Sequence, residues 1–376
     1  MALIPAQVPT LVQAGVSVLI ETGAGGAAGY PDPAYLEKGA RILATRAEVF
    51  ASADLIATVR FAGANPAGFE ADLSQMRADQ MVVGLAEPLS EPALIARAAS
   101  KGIALFALEL IPRITKAQAM DVLSSMATVA GYKAVLLAAA SLPRMFPMLT
   151  TAAGTLQAAR VFVVGAGVAG LQAIATARRL GAVVEAYDVR PAVREQVQSL
   201  GARFVALELD TSAAEGALGY ARELGEEFYR KQREMMARVV AQSDVVITTA
   251  AVPGQRAPIL ITAPMIAGMR SGSVIVDLAA ERGGNCEVTR PGETVQVEGV
   301  TVIGPLNLPA TVPYHASQMF SKNLANFIRH IVRDGRWVLS NDDEITASTL
   351  VTRNGEILEP RVRERLAAAG AAREGG

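Results

Sequence analysis

Histidine is almost missing from this 376-residue sequence, which holds two, and cysteine occurs once, as Cys286. A single cysteine excludes an intramolecular disulfide and a multi-cysteine zinc site, so Cys286 is expected as a small apolar core residue. Charge is also scarce. Lys and Arg total 35 against 36 Asp and Glu, for a net charge of −1. That balance leaves no global attraction for nucleic acid or an anionic membrane. Long unbroken apolar runs are wanting too: residues 1–20 and 299–321 are uncharged, but Pro5 and Pro9 interrupt the first, and Pro305, Pro309 and Pro313 the second. No basic start or small-residue cleavage site marks a secretory leader. The expectation is a cytoplasmic chain with no membrane span of its own.

The length suits two domains. Mean hydropathy is +0.30, carried largely by Ala, Val and Leu; a large buried oligomer surface and Ala-rich coding bias both account for it. At 160–190 the apolar run 161–164 reads as a buried strand, and Gly165, Gly167 and Gly170 allow a tight turn and close backbone approach. The helix that opens behind them offers free N–H groups and the positive end of its dipole to a pyrophosphate. A second strand, 183–187, ends at Asp188, 23 residues after Gly165. That spacing sets a carboxylate beside an adenosine ribose. Asp188 favours NAD over NADP because a 2′-phosphate would meet negative charge, while Arg190 could accommodate one.

Before this unit, strand and helix signals alternate: helix 9–14, strand 16–21, a glycine-rich turn at 22–29, helix 33–42, strands 55–61 and 80–85, helix 93–101 and strand 103–108. The alternation predicts a second doubly wound sheet. One long helix is expected from 115 to about 139, ended by Pro143 and Pro147. Further strands are expected at 203–207, 245–249, 273–277 and 300–303, with a mobile loop over 210–220 and helices at 226–241 and 316–333. The tail from Arg363 should fray. The fold class is therefore α/β, with two doubly wound Rossmann-like domains. The second, 124–306, is inserted in the first, 1–123 completed by 307–376, and a long connector helix joins them.

On a helical wheel started at Gln118, the residues Asp121, Ser124, Ser125, Thr128 and Tyr132 fall within roughly 120° of it, opposite Met120, Val122, Leu123 and Met126. A stripe of amide, hydroxyl and carboxylate suits a neutral polar ligand such as a nicotinamide carboxamide. Gln118 and Asp121 would orient it, with Ser124 helping and Arg113 reaching in from the preceding turn. Two plainer roles stay open. Thr115 to Gln118 fits a capping box, and Arg113 with Asp121 fits an ion pair.

The run IPRITKAQAMDVLSSMATVAGYKA at 111–134 resembles the signature ahead of the nucleotide domain in the NAD(H)-binding component of proton-translocating NAD(P) transhydrogenases, and VGAGVAGLQAIA at 164–175 resembles their second signature. Further likenesses lie at 188–190, 219–221, 248–254, 272–279 and 283–286. The resemblance implies that Arg113, Ile114, Gln118, Asp121 and Ser124 hold the nicotinamide end of NAD(H). It implies that Gly165, Ala166, Gly167, Val168 and Gly170 bind the pyrophosphate, and that Asp188, Val189 and Arg190 serve the adenosine side. Ala250 joins the nucleotide contacts, and Tyr220 belongs to a loop that closes over the nucleotide. Arg113, Gln118, Asp121, Ser124 and Tyr220 are the implied catalytic set, and no metal is implied.

The same resemblance implies a homodimer that docks membrane-embedded transhydrogenase subunits, one carrying NADP(H), and so a peripheral place at the inner face of the plasma membrane. Relatives open with a charged residue and Arg-Val before the segment matching 2–5, so the first strand is expected to be truncated. Alanine dehydrogenases share the architecture, and an alanine dehydrogenase-like amino-acid dehydrogenase is the alternative. Their substrate-binding arginine, lysine and histidine have no evident counterparts: Thr58-Val-Arg60-Phe61 fills the lysine region, and His315 and His330 are the only histidines. Oxidising an amine or alcohol releases a proton that needs a base. Passing hydride between two nicotinamides needs only proximity and exclusion of water. A site of Arg, Gln, Asp and Ser fits the second chemistry, although Lys116 or Asp121 could act as a base. Glu281 and Asn285 are expected in a structural loop near the crevice.

Overall fold

Short apolar runs become parallel strands in both halves of the chain, and glycines at positive φ turn it between them. A computed structural model describes residues 1–206, 226–252 and 254–374. It has two units, one formed by Met1–Met126 with the segment from Pro313 onward, the other by Ala127–Val312.

The first unit opens with α1 (Val8–Gln13), β1 (Leu19–Glu21), α2 (Asp32–Glu37), β2 (Arg41–Leu43) and α3 (Arg46–Ser52). The helix expected over 33–42 stops early: Gly39 at φ +93° turns the chain, and Ile42 enters β2, paired with Ile20 of β1. A βαβαβ run follows, β3 (Leu55–Arg60), α4 (Pro66–Gln75), β4 (Met81–Leu85), α5 (Pro92–Ser100) and β5 (Ala104–Ala107), with its strands parallel.

The division between units falls within α6 (Val122–Ser141). This helix is long and apolar enough to cross a bilayer by length and composition alone. Its Val122, Ala134, Val135 and Ala138 are instead packed into protein cores. An exposed hairpin, β6 (Leu149–Thr151) and β7 (Gly154–Leu156), comes next. The second unit continues through β8 (Arg160–Val164), α7 (Val168–Arg179), β9 (Val183–Tyr187), α8 (Arg194–Ser199), β10 (Arg203–Phe204) and α9 (Glu226–Ala241). It ends with β11 (Val245–Thr248), α10 (Ala263–Ala267), β12 (Val274–Asp277), β13 (Thr294–Val297) and β14 (Val300–Ile303). The loop expected over 210–220, Tyr220 included, lies outside the described residues.

The strand order β10-β9-β8-β11-β12-β14-β13 reverses direction between β8 and β11, and only edge strand β13 is antiparallel. Alternation along β8 feeds two cores: Val161 and Val163 pack on one face, Phe162 and Val164 on the other. Both faces are therefore covered, as a doubly wound sheet requires. The crevice at the strand reversal lies beyond the C-terminal ends of β8 and β11, where Val164 pairs with Thr248.

The chain then returns to the first unit through α11 (Pro313–His330), β15 (Val332–Arg333), β16 (Arg336–Trp337), α12 (Glu344–Thr349), β17 (Leu350–Arg353), β18 (Glu356–Ile357) and α13 (Pro360–Glu374). Unanticipated strands β17 and β18 extend the first sheet antiparallel, giving the order β18-β17-β5-β4-β3. Phe327 of α11 meets Phe106 of β5 edge to face at 5.5 Å. Arg363 and its successors, expected to fray, continue α13 to Glu374. Ala2, Leu3 and Ile4 are buried, and the Ile4 N–H donates to Ser321 Oγ at 2.9 Å.

Candidate functional site

The helix expected from Thr115 is in fact two pieces. Residues Thr115–Met120 form a 3-10 turn, Asp121 is extended at φ −73°, ψ 91°, and α6 starts at Val122. The wheel drawn at 100° per residue therefore does not apply across this break. With three residues per turn, Gln118 instead falls in line with Asp121, while Ala117 and Met120 lie buried in the core. Gln118 and Arg113 are exposed, and Ile114 is half-buried.

Asp121 is the N-cap of α6. Its Oδ1 accepts the Ser124 N–H at 2.9 Å, and its Oδ2 accepts the Ser124 hydroxyl at 2.5 Å. The capping role thus falls on Asp121-to-Ser124 rather than on Thr115-to-Gln118. Capping also fixes the direction of this carboxylate, for which the sequence suggests a ligand contact.

Just upstream, Glu109 turns its carboxylate into the protein, where Oε1 accepts the Ala86 and Glu87 N–H groups. Its buried Oε2 has no partner among the described residues. Burial pushes this carboxyl up to about 7.

In the second unit, Gly165 at φ +95° turns the chain out of β8, and Gly167 is the N-cap of α7. A Cβ on Gly170 would stand 1.8 Å from the Gly165 carbonyl oxygen, whereas one on Gly167 would meet no atom within 4 Å. Gly170 is thus required by packing, and Gly167 borders open space at the N-terminus of α7, where N–H groups face outward. Val168 is exposed beside it. Thr249 Oγ1 closes the turn from β11 by donating to the Gly165 carbonyl at 3.0 Å.

Asp188 is already engaged. Its Oδ2 accepts the Ala166 N–H at 2.8 Å and Arg190 Nη2 at 2.9 Å, and its Oδ1 accepts the Arg190 N–H and Nε, both at 2.9 Å. A ribose hydroxyl would reach this carboxylate by displacing an Arg190 donor. Beside it lies a cavity of about 200 Å³ bordered by Tyr187, Val189, Arg194 and Phe204. Arg194 sits 5.5 Å over the Phe204 ring.

Ala250 is held from behind. Fully buried Asn285 accepts its N–H at 2.9 Å and donates to its carbonyl at 2.8 Å and to that of Pro258 at 2.8 Å. Buried Asp277, at the end of β12, pins the same loop through the N–H groups of Asn285 at 2.8 Å and Cys286 at 3.0 Å. Sequence reasoning misses this support, for which the only hint is an acid ending a strand. Glu281 accepts the N–H of Asn307, which stands at φ +44°. Buried Cys286 has its thiol pushed up to about 11 by burial. Among the described residues no group of three or more His, Cys, Asp or Glu could hold a metal ion.

The family described as Alanine dehydrogenase/PNT, N-terminal domain, matches residues 1–130, and Alanine dehydrogenase/PNT, C-terminal domain, matches 134–360. The chain is 43% identical over 362 residues to the first of the chains that make up the NAD(P) transhydrogenase alpha subunit of Rhodospirillum rubrum, covering 96% of this chain and 94% of that one. A solved transhydrogenase from Sinorhizobium meliloti matches with a TM-score of 0.84 and 43% identity over 95% of each chain. Alanine dehydrogenase of Mycolicibacterium smegmatis is 28% identical over 374 residues, 97% of this chain and 92% of that one.

Proposed function

Because the chain belongs to the alanine dehydrogenase/PNT family, and within it to the NAD(P) transhydrogenase alpha subunits, we propose that it binds NAD(H) and passes hydride directly to NADP+ held by a partner subunit. The observation that carries this reading is the turn at Gly165, Ala166, Gly167, Val168 and Gly170. It lies at the strand reversal of the second sheet, opens at Gly167 to the N-terminus of a 12-residue helix, and is tied through Ala166 to Asp188. Those N–H groups suit a pyrophosphate, and the cavity beside Val189 suits the adenosine end. NAD(H) would supply the hydride at its nicotinamide ring.

In this reading Gln118 and Asp121 orient the carboxamide, Ser124 steadies Asp121, and Arg113 adds a cationic donor. None of them has to move a proton, because hydride passes between two like rings. The exposed apolar side chains of Met145, Met148, Leu149 and Leu156, on and before the β6–β7 hairpin, support a homodimer. Replacing Met148 and Leu156 together by Glu should shift the sedimenting species to a monomer; an unchanged species would remove the hairpin from the contact. The proton-coupled step, and attachment at the inner face of the plasma membrane, belong to the partners.

Mixed with an NADP(H)-binding partner domain, the chain should catalyse hydride exchange between NADH and an oxidised NADP analogue. Gln118→Ala and Asp121→Ala should each slow that exchange by about 10- to 100-fold while adenine nucleotide binding persists. Alanine-dependent reduction of NAD by the chain alone would overturn the reading in favour of an amino-acid dehydrogenase.

A further inference from the structure

The 3-10 turn that carries Gln118 is held by the returning helix α11. Two asparagines of that helix, three residues apart, converge on a single carbonyl. Asn323 Nδ2 donates to the Ala119 oxygen at 2.9 Å, and Asn326 Nδ2 donates to the same oxygen at 3.0 Å. A carbonyl has two lone pairs, and here each receives a side-chain amide. Ala119 is the residue after Gln118 and two before Asp121, at the point where the 3-10 turn gives way to the extended residue that caps α6.

The rest of the turn is anchored to the same returning segment. Ala117 and Met120 share a core with Phe320, Leu324 and Phe327 of α11. Lys116 Nζ lies 3.3 Å from Asp343 Oδ1, and Asp343 Oδ2 is 2.6 Å from His330 Nε2. Burial pushes the Asp343 carboxyl upward, but hydrogen bonds from His330 and from the Thr346 N–H and hydroxyl outweigh it and hold the group well below the usual carboxylate range. Lys116 and Asp343 are partly exposed, so this ion pair adds little by itself. The amide pair on Ala119 is the more buried anchor, with Asn323 8% exposed.

We propose that Asn323 and Asn326 are positioning residues that set the angle between Gln118 and Asp121 through the Ala119 carbonyl, and so fix how the chain grips a carboxamide. The proposal rests on the reading of Gln118 and Asp121 as the nicotinamide contact. Neither asparagine touches the nucleotide. Their effect is confined to one end of it, because the pyrophosphate and adenosine contacts proposed above belong to the second unit.

The test compares NADH with ADP-ribose, which lacks the nicotinamide, by calorimetric titration of the full chain. The wild-type chain should bind NADH more tightly than ADP-ribose. Asn326→Asp, which sets an acceptor against the Ala119 oxygen, should cut that preference by about 10-fold, as expected for the loss of one well-placed hydrogen bond. Its ADP-ribose affinity should stay within about 2-fold of wild type. Asn326→Leu, which removes the donor without adding charge, should do the same and serves if the Asp variant folds poorly.

Gln118→Ala run in parallel separates the two claims. If it abolishes the preference and adding Asn326→Asp to it changes nothing further, the asparagine acts through Gln118. If Gln118→Ala abolishes the preference but neither Asn326 variant alters it, or if those variants weaken NADH and ADP-ribose equally, the positioning role is wrong while the site reading stands. If Gln118→Ala leaves the preference intact, the site reading is wrong and the positioning role falls with it.

Discussion

Replacing Gly170 by alanine should lower the stability of the second unit by about 3 kcal/mol and weaken NADH binding by at least about 100-fold. The added Cβ would sit 1.8 Å from the Gly165 oxygen and 2.9 Å from the Gly165 carbonyl carbon. Relief requires backbone movement, because the obstruction is main chain and Gly165 itself is held at φ +95° between β8 and Thr249. The turn would open, and the N–H groups at the head of α7 would lose their alignment.

Gly167→Ala supplies the contrast. Gly167 sits at φ −76°, which alanine adopts freely, and its Cβ would meet no atom within 4 Å. Its thermal midpoint should stay near that of the wild type, while NADH affinity falls because the methyl group occupies the approach to the turn. Thermal melts and NADH titrations on both variants decide the matter. A stable, nucleotide-binding Gly170→Ala would show that the turn can relax, and undiminished binding by Gly167→Ala would place the pyrophosphate elsewhere.

Glu109→Gln should change the pH dependence of the first unit. The Glu109 carboxyl stands near 7 in the folded chain against a reference value of 4.5, because burial disfavours its charge. A raised value means that the folded state holds the proton more tightly. The resulting stability is fully present below pH 4.5 and is lost as pH rises through 7. The loss amounts to about 3 kcal/mol. Glutamine keeps an acceptor for the Ala86 and Glu87 N–H groups and carries no charge. The variant should therefore match the wild type near pH 5 and exceed it above pH 8. Urea unfolding of both proteins across this range is the measurement, and parallel profiles would show that Glu109 does not ionise in this interval.

The second sheet is legible in the sequence because its strands are continuous apolar runs closed by glycines. Burial on both faces leaves no polar alternation to confuse the reading, and Gly165, Gly167 and Gly170 mark the turn. The break at Asp121 is hidden, since no proline interrupts residues 115–139 and the apolar spacing continues through them. What ends the 3-10 turn is the Asp121 cap together with side chains from α11, some 200 residues away in sequence. Strands β17 and β18 escape notice for a related reason. Leu350–Arg353 is a strand because β5 offers it an edge, and its own composition differs little from that of a loop. The aspartate after β9 is legible as a residue but its engagement is not: the bonds from Ala166 and Arg190 depend on how the turn folds back.

The late arrival of β17 has a bearing on how the chain is made. Residues 127–312 are contiguous, so the inserted unit holds all its strands once Val312 has left the ribosome, whereas the sheet built on β3, β4 and β5 still waits for Leu350–Arg353 to cover its open side. Synthesis at about 5–20 residues per second makes that wait several seconds long. For this interval the bare β5 edge is a strand-pairing hazard, and the nascent first unit should be a client for chaperones while the inserted one already has its fold.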